Sequence, residues 1–244
     1  MFSSNLQGAP MFHATSAPFY PKTTTADLTY TDILFMSEDV FGAMTPAEIG
    51  SLSDKATFGI QPGQISVLRP DQLASLKHSQ LSSSVFSGLK PEQVSGLSPE
   101  VIKDMDTCVL MSIRNSTLRA FSDSQLQAIN LDAMVGSFPM ARLCHLRDRI
   151  SAFTPAQMAS IRDDCFQLDI SQMKHLKPEV CAVLTEPQLS RLSAAHFGAM
   201  SVEGVGGLTL KQFDALTVLQ RSQFTAEQIG ALNPEILKKH GYEN

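Results

Sequence analysis

The chain has no tryptophan, three tyrosines and four cysteines in 244 residues. It is also poor in charge: 18% of residues are Asp, Glu, Lys or Arg, and the net charge is −5. A dedicated nucleic-acid binder carries a basic excess, so that class starts behind. The cysteines Cys108, Cys144, Cys165 and Cys181 form no C-x-x-C pair, which excludes a zinc knuckle or dithiol redox motif of that spacing. They are expected to be reduced, mostly buried thiols in a cytosol-like compartment. No stretch approaches the ~20 apolar residues of a membrane span. Residues 1–21 carry no charged side chain, and Gln7, Gly8, Pro10, His13, Pro18 and Pro21 interrupt the apolar run of a cleaved secretory signal. The expected location is cytoplasmic, or exported without a cleaved signal peptide. Hydrophobic residues nonetheless make up 43%, enough for a core.

What the chain has in abundance is one phrase repeated at a period of eight. Met44-Thr45-Pro46-Ala47-Glu48-Ile49 returns as Leu68-Arg69-Pro70-Asp71-Gln72-Leu73, as Leu89-Lys90-Pro91-Glu92-Gln93-Val94 and as Phe153-Thr154-Pro155-Ala156-Gln157-Met158. With the large apolar residue as position 1, 27 units start between Leu28 and Leu232, and all but four of the 26 spacings are eight. The exceptions are a short unit after Leu76, a nine after Ile129, and sevens after Leu146 and Ile161. Internal repetition at this level decides architecture before any local propensity does.

Each octad position suits the start of a helix. Position 2 is Ser, Thr, Asp or Asn in 18 units, which are good N-caps. Position 3 is Pro in eight units, and Pro is favoured where no backbone N–H is required. Position 4 is often acidic, which complements the helix dipole. Position 5 is Gln in eleven units and Glu in one, three residues after the cap, where it can close a capping box. Positions 1 and 6 fall at the two ends of a hydrophobic staple. Position 8 is often Ala, Gly or Ser, which would let successive helices approach closely.

Continuous elements fail on geometry. Eight residues of one long helix advance about 800°, so the apolar residues would wind round the rod and define no face. The recurring prolines would also break it. In a strand, the odd spacings would scatter the apolar residues over both faces. One octad alone buries two side chains, worth roughly 3–6 kcal/mol. Ordering its backbone costs on the order of 8–16 kcal/mol, so neighbours must stack on it. The predicted fold is all-α, a superhelical solenoid of tandem eight-residue units, each a short capped helix. The predicted organisation is a disordered leader over 1–27, the octad solenoid over 28–240, and a tail over 241–244. The leader could instead be an uncleaved translocation signal. Ser79 to Ser84 marks an expected kink, and the irregular spacings between 129 and 168 an expected bend. Position 6 departs from apolar character at Thr57, Ser151 and Arg221, each expected at a bend or in a weaker unit.

No catalytic constellation stands out. Cys144 and His145 are adjacent, so their side chains diverge on a helix, whereas a nucleophile pair needs contact in space. Cys181 sits at position 6, a core position. Asp163-Asp164-Cys165 reads as helix-start acid, not a metal site. Gly204-Val205-Gly206-Gly207 lacks the pattern of a phosphate loop. No cofactor and no metal are expected. The candidate binding residues are Arg114, Arg119, Arg142, Arg147 and Arg149, which one surface of a superhelix could gather for an acidic partner; a solvated mixed-charge face is the simpler expectation.

The L-[ST]-P-E-Q-[ILV] phrase resembles stretches of the mesothelin, stereocilin and otoancorin family, most sharply over Ile60–Leu76, Leu89–Met105 and Leu176–Met200. That resemblance implies an armadillo-like superhelix and a role in adhesion; the family's signal sequence and lipid-anchor tail are not recognisable here. The short-helix repeats are also similar to those of some secreted proteins of intracellular bacteria. Leu-Thr-x-Glu-Gln phrases resemble the start of the DNA-binding repeats of plant-pathogen transcription activators, but the eight-residue period and negative charge argue against them. The expected function is a non-enzymatic protein-interaction scaffold whose partner is another protein. The alternatives are a nucleic-acid-binding solenoid using the central arginines, a secreted bacterial effector or adhesion module, or a small-molecule or enzymatic role for Cys144, Cys165 or Cys181.

Overall fold

A run of Ser/Thr-Pro-Glu/Gln signals starts many helices and lets none of them grow. The computed structural model describes residues 24–77, 80, 83–131 and 144–242, and among them every regular element is a helix. The α-helices are four to seven residues long. Thr45, Ser53, Ser98, Thr154, Thr185, Ser201, Thr209, Thr217 and Thr225 each cap one with a side-chain oxygen. Such a cap satisfies a backbone N–H that the helix leaves orphaned. Pro91–Gly96, Asp163–Cys165 and Ile170–His175 tighten to 3-10 geometry, as very short helices with few i-to-i+4 bonds readily do.

Among the described residues, the apolar side chains at positions 1 and 6 form one buried cluster that runs from Leu28 to Ile236, with Met36, Ile229 and Leu237 partly buried against it. The close approaches join helices three octads apart, not successive ones as the small position-8 residues suggest. Tyr30–Leu34 packs on Asp54–Thr57, Glu38–Ala43 on Pro62–Ser66, Pro178–Cys181 on Val202–Gly206, and Val202–Gly206 on Ala226–Gly230. Position 8 lies at this contact. A β-carbon at Gly96 would collide with the Pro70 carbonyl, and one at Gly207 with the Pro178 carbonyl.

The position-5 glutamines stitch these helices together. Gln64, Gln72, Gln80, Gln93, Gln125, Gln172, Gln188, Gln212, Gln220 and Gln228 are all buried. The side-chain oxygen of Gln212 accepts the Thr209 N–H at 2.8 Å, the capping-box contact. Its amide nitrogen then donates to Leu184 O at 2.7 Å, 28 residues back, and to Cys181 O at 2.8 Å, 31 residues back. The same 28 and 31 offsets recur at Gln64, Gln125, Gln157 and Gln220. After the five-residue unit they become 28 and 25 at Gln93, and across a seven-residue unit Gln188 reaches 27 residues back to Ile161 O. The oxygen half works even where position 2 is a poor cap: Gln72 accepts from Arg69 N–H and Gln93 from Lys90 N–H. The carbonyls that the amide nitrogen reaches lie at a helix end and in the connector that follows, where no intrahelical N–H is available to them, as Cys181 O and Leu184 O show.

Where glutamine is absent, other side chains take its place. Thr117 Oγ1 donates to Leu89 O at 2.9 Å, and His196 Nε2 lies 3.1 Å from Leu168 O, each 28 residues back. The position-6 departures also resolve. Thr57 is buried, with its hydroxyl donating to Asp54 O. Ser151 yields its core place to Ile150, because the unit that starts at Leu146 is one residue short. Arg221 lays its guanidinium 5.9 Å over the Phe213 ring and meets His240 Nδ1 at 3.4 Å. Residues 1–23 of the expected leader, Ser79 and Leu81–Ser82 of the expected kink, and residues 132–143 of the expected bend lie outside the described residues, as do residues 243–244 of the expected tail.

Candidate functional site

The candidate arginines do not share one environment. Arg114 is exposed at the N-cap of Asn115–Arg119 and makes no side-chain cap bond, and Arg119 is exposed in the last turn of the same helix. Arg142 lies outside the described residues. Arg147 is exposed and interrupts the 3-10 stretch Cys144–Ala152 with φ 53° and ψ −120°. Among the described residues it is the one non-glycine with positive φ. These angles match the first central residue of a type II′ turn, a place that glycine normally takes.

Arg149 is turned inward. Its guanidinium donates to Phe121 O at 2.6 Å, 28 residues back, and pairs with Asp123 at 2.8 Å. In the seven-residue unit Arg149 stands at position 4 but performs the bridging work of a position-5 glutamine. Numbered as position 4 it reads as a surface group; the unit that is one residue short turns it inward. Arg162 is engaged too: it holds Asp164 through two nitrogens, at 2.8 and 3.1 Å, and this pairing keeps the Asp164 carboxyl below its ordinary range.

The thiols are unpaired but not alike. Cys165 and Cys181 are buried, Cys144 is half-buried and Cys108 is exposed. Burial pushes the Cys181 thiol up to about 12. Burial first, and then the Asp169 charge, push Cys144 up as well. A raised thiol is a poor nucleophile, which leaves Cys144 badly placed to act with the exposed His145. Among the described residues no group of three His, Cys, Asp or Glu side chains is placed to hold a metal ion, and no helix is long and apolar enough to cross a membrane.

The outer surface carries two features that recur with the octad. One is the set of exposed acidic side chains at position 4: Asp39, Asp71, Glu92, Glu179, Glu203 and Glu227. The other is a groove between the connectors of octads three apart. One such groove, of about 490 Å³, runs between Val94–Pro99 and Ala120–Gln125 and is lined by Ser95, Gly96, Ser98, Ala120, Ser122 and Ser124. A second, also of about 490 Å³, has the same register between Ala182–Pro187 and Thr209–Gln212, with Lys211 paired to Glu186 at its edge. Small and hydroxylated side chains line the first groove because positions 7, 8, 2 and 4 supply its walls there. The octad period alone does not reveal the groove, which depends on which octads lie side by side.

Neither the protein-family models nor the curated proteins compared with this chain match it.

Proposed function

We propose that the chain winds as an α-solenoid with three octads per turn and serves as a non-enzymatic scaffold that binds another protein along its connector grooves. The carrying observation is the recurrence of one groove at one register, about 490 Å³ each time, at Val94–Gln125 and at Ala182–Gln212. A concave feature repeated along a stack is how repeat proteins present an extended surface. The 28-residue glutamine bonds support the solenoid half of the reading, since they fix the same neighbour relation along most of the chain. The small, hydroxylated lining of the first groove suits an extended peptide segment, whose backbone amides those hydroxyls can meet.

The experiment is capture of partners by the full-length chain with and without nuclease, followed by Ser95→Arg plus Ser124→Arg. Both serines are exposed, and neither caps a helix with its side chain. The expected result is a protein partner that survives nuclease and is lost on the double substitution while circular dichroism is unchanged. Loss of every partner on nuclease treatment, or binding indifferent to the double substitution, would overturn the reading.

A further inference from the structure

One rung of the hydrogen-bond ladder is a titratable group. In the unit that starts at Leu192, position 5 is His196 where eleven other units have Gln. Its two ring nitrogens divide the glutamine's work. Nδ1 stands 3.1 Å from the Ser193 backbone N–H, in the place of the amide oxygen, and Nε2 stands 3.1 Å from Leu168 O, in the place of the amide nitrogen. A backbone N–H can only donate and a carbonyl can only accept, so the contacts fix the neutral tautomer with its proton on Nε2. Ser193 Oγ, 2.8 Å from Nδ1, is a hydroxyl and adapts to either state.

We propose that His196 is an acid-sensitive rung: its protonation breaks the Ser193 cap and loosens Ala194–Gly198 from the helices packed on it. An imidazolium carries a proton on Nδ1 that would point head-on at the Ser193 N–H, and no ring flip relieves this because both nitrogens are then donors. A glutamine in the same place has no such state.

The charged surroundings do not remove the conflict. Ile170–His175 and Val218–Arg221 pack on Ala194–Gly198, and Gln228 of Ala226–Gly230, a helix whose charged residue is the exposed Glu227, donates to its Phe197 O and Gly198 O. Ile170–His175 carries Lys174 and His175 and is capped by Asp169, whose charge interacts with His196. The Asp169 carboxylate is committed to the Ser171 N–H at 2.8 Å, and this bond holds the carboxyl below its ordinary range. Its attraction for an imidazolium supplies no acceptor for the Ser193 N–H. Val218–Arg221 carries Arg221, which is turned to Phe213 and His240.

The test compares the full-length wild type with His196→Gln, the residue that eleven other units have. Amide exchange over residues 192–200, corrected for intrinsic rates, is followed from pH 7.5 to 5.0, through the ordinary histidine range near about 6.5. The wild type is expected to lose protection by about tenfold on acidification, because the open form binds a proton that the closed rung cannot take. H196Q is expected to match the wild type at pH 7.5 and to keep its protection at pH 5.0. Nitrogen chemical shifts of His196 give an independent readout, with the neutral Nε2–H tautomer expected at pH 7.5. Equal acid sensitivity in H196Q, or an Nδ1–H tautomer in the wild type, would overturn the proposal.

Discussion

The Arg149 guanidinium donates to the Phe121 carbonyl at 2.6 Å across 28 residues of chain, the interval that glutamines span in other units. A residue that composition places among candidate ligands for an acidic partner is therefore bound into the helix packing. Arg149→Ala is expected to lower stability by about 1–3 kcal/mol, because a charge-assisted bond is lost and a carbonyl is stranded. Arg114→Ala and Arg119→Ala, both at exposed positions, should stay within about 0.5 kcal/mol. Urea unfolding of the three variants checks this.

Arg147 occupies backbone that suits glycine. An L side chain held there costs of order 1–3 kcal/mol, while glycine gives back part of the gain through a more flexible unfolded chain. Arg147→Gly is expected to raise stability by about 1 kcal/mol, seen as a higher unfolding midpoint. A lower midpoint would contradict this account of the turn.

Gly207 gives the opposite sign to the usual glycine rule. Alanine normally stabilises a helix relative to glycine by up to about 1 kcal/mol. Here a β-carbon meets the Pro178 carbonyl, part of the backbone that cannot swing aside. Gly207→Ala is expected to cost about 1–3 kcal/mol. Gly230, with no atom near its virtual β-carbon, should gain stability as Gly230→Ala under the same thermal melt.

The thiols should react in order of burial. Cys108 is exposed and is expected to titrate first with a disulfide reagent, Cys144 more slowly, and Cys165 and Cys181 only on unfolding. The Cys181 thiol is raised from 9.0 to about 12, so the folded state holds its proton after the unfolded state has lost it. Its contribution is fully present below pH 9.0 and is lost as pH rises through about 12. Cys181→Ala should therefore flatten the alkaline limb of the stability profile, beyond the cost of the cavity it opens.

Much of the local structure is legible in the octad. Thr209, Gln212 and Phe213 read as cap, box and core from spacing alone, and they serve as such. What is not legible is the destination of the second half of Gln212. A period of eight says where each helix starts but not how many units separate neighbours in space, so the bond to Leu184 cannot be read from it. The same ignorance hides the groove between Val94–Pro99 and Ala120–Gln125. The irregular units add a second difficulty, because a unit one residue short moves Ile150 into the core and Arg149 into the glutamine role, whatever their numbered positions.

The central claim is that position-5 amides hold together helices three octads apart, and Gln72 tests it most directly. It is fully buried, accepts from Arg69 N–H at 2.7 Å, and donates to Gly42 O and Met44 O. Gln72→Met keeps the shape and removes all three bonds without burying a charge. The account predicts a loss of about 2–4 kcal/mol in urea unfolding, since three backbone groups are left unsatisfied, while Gln223→Met at an exposed position 8 stays within about 0.5 kcal/mol. A Gln72→Met variant as stable as the wild type would contradict it.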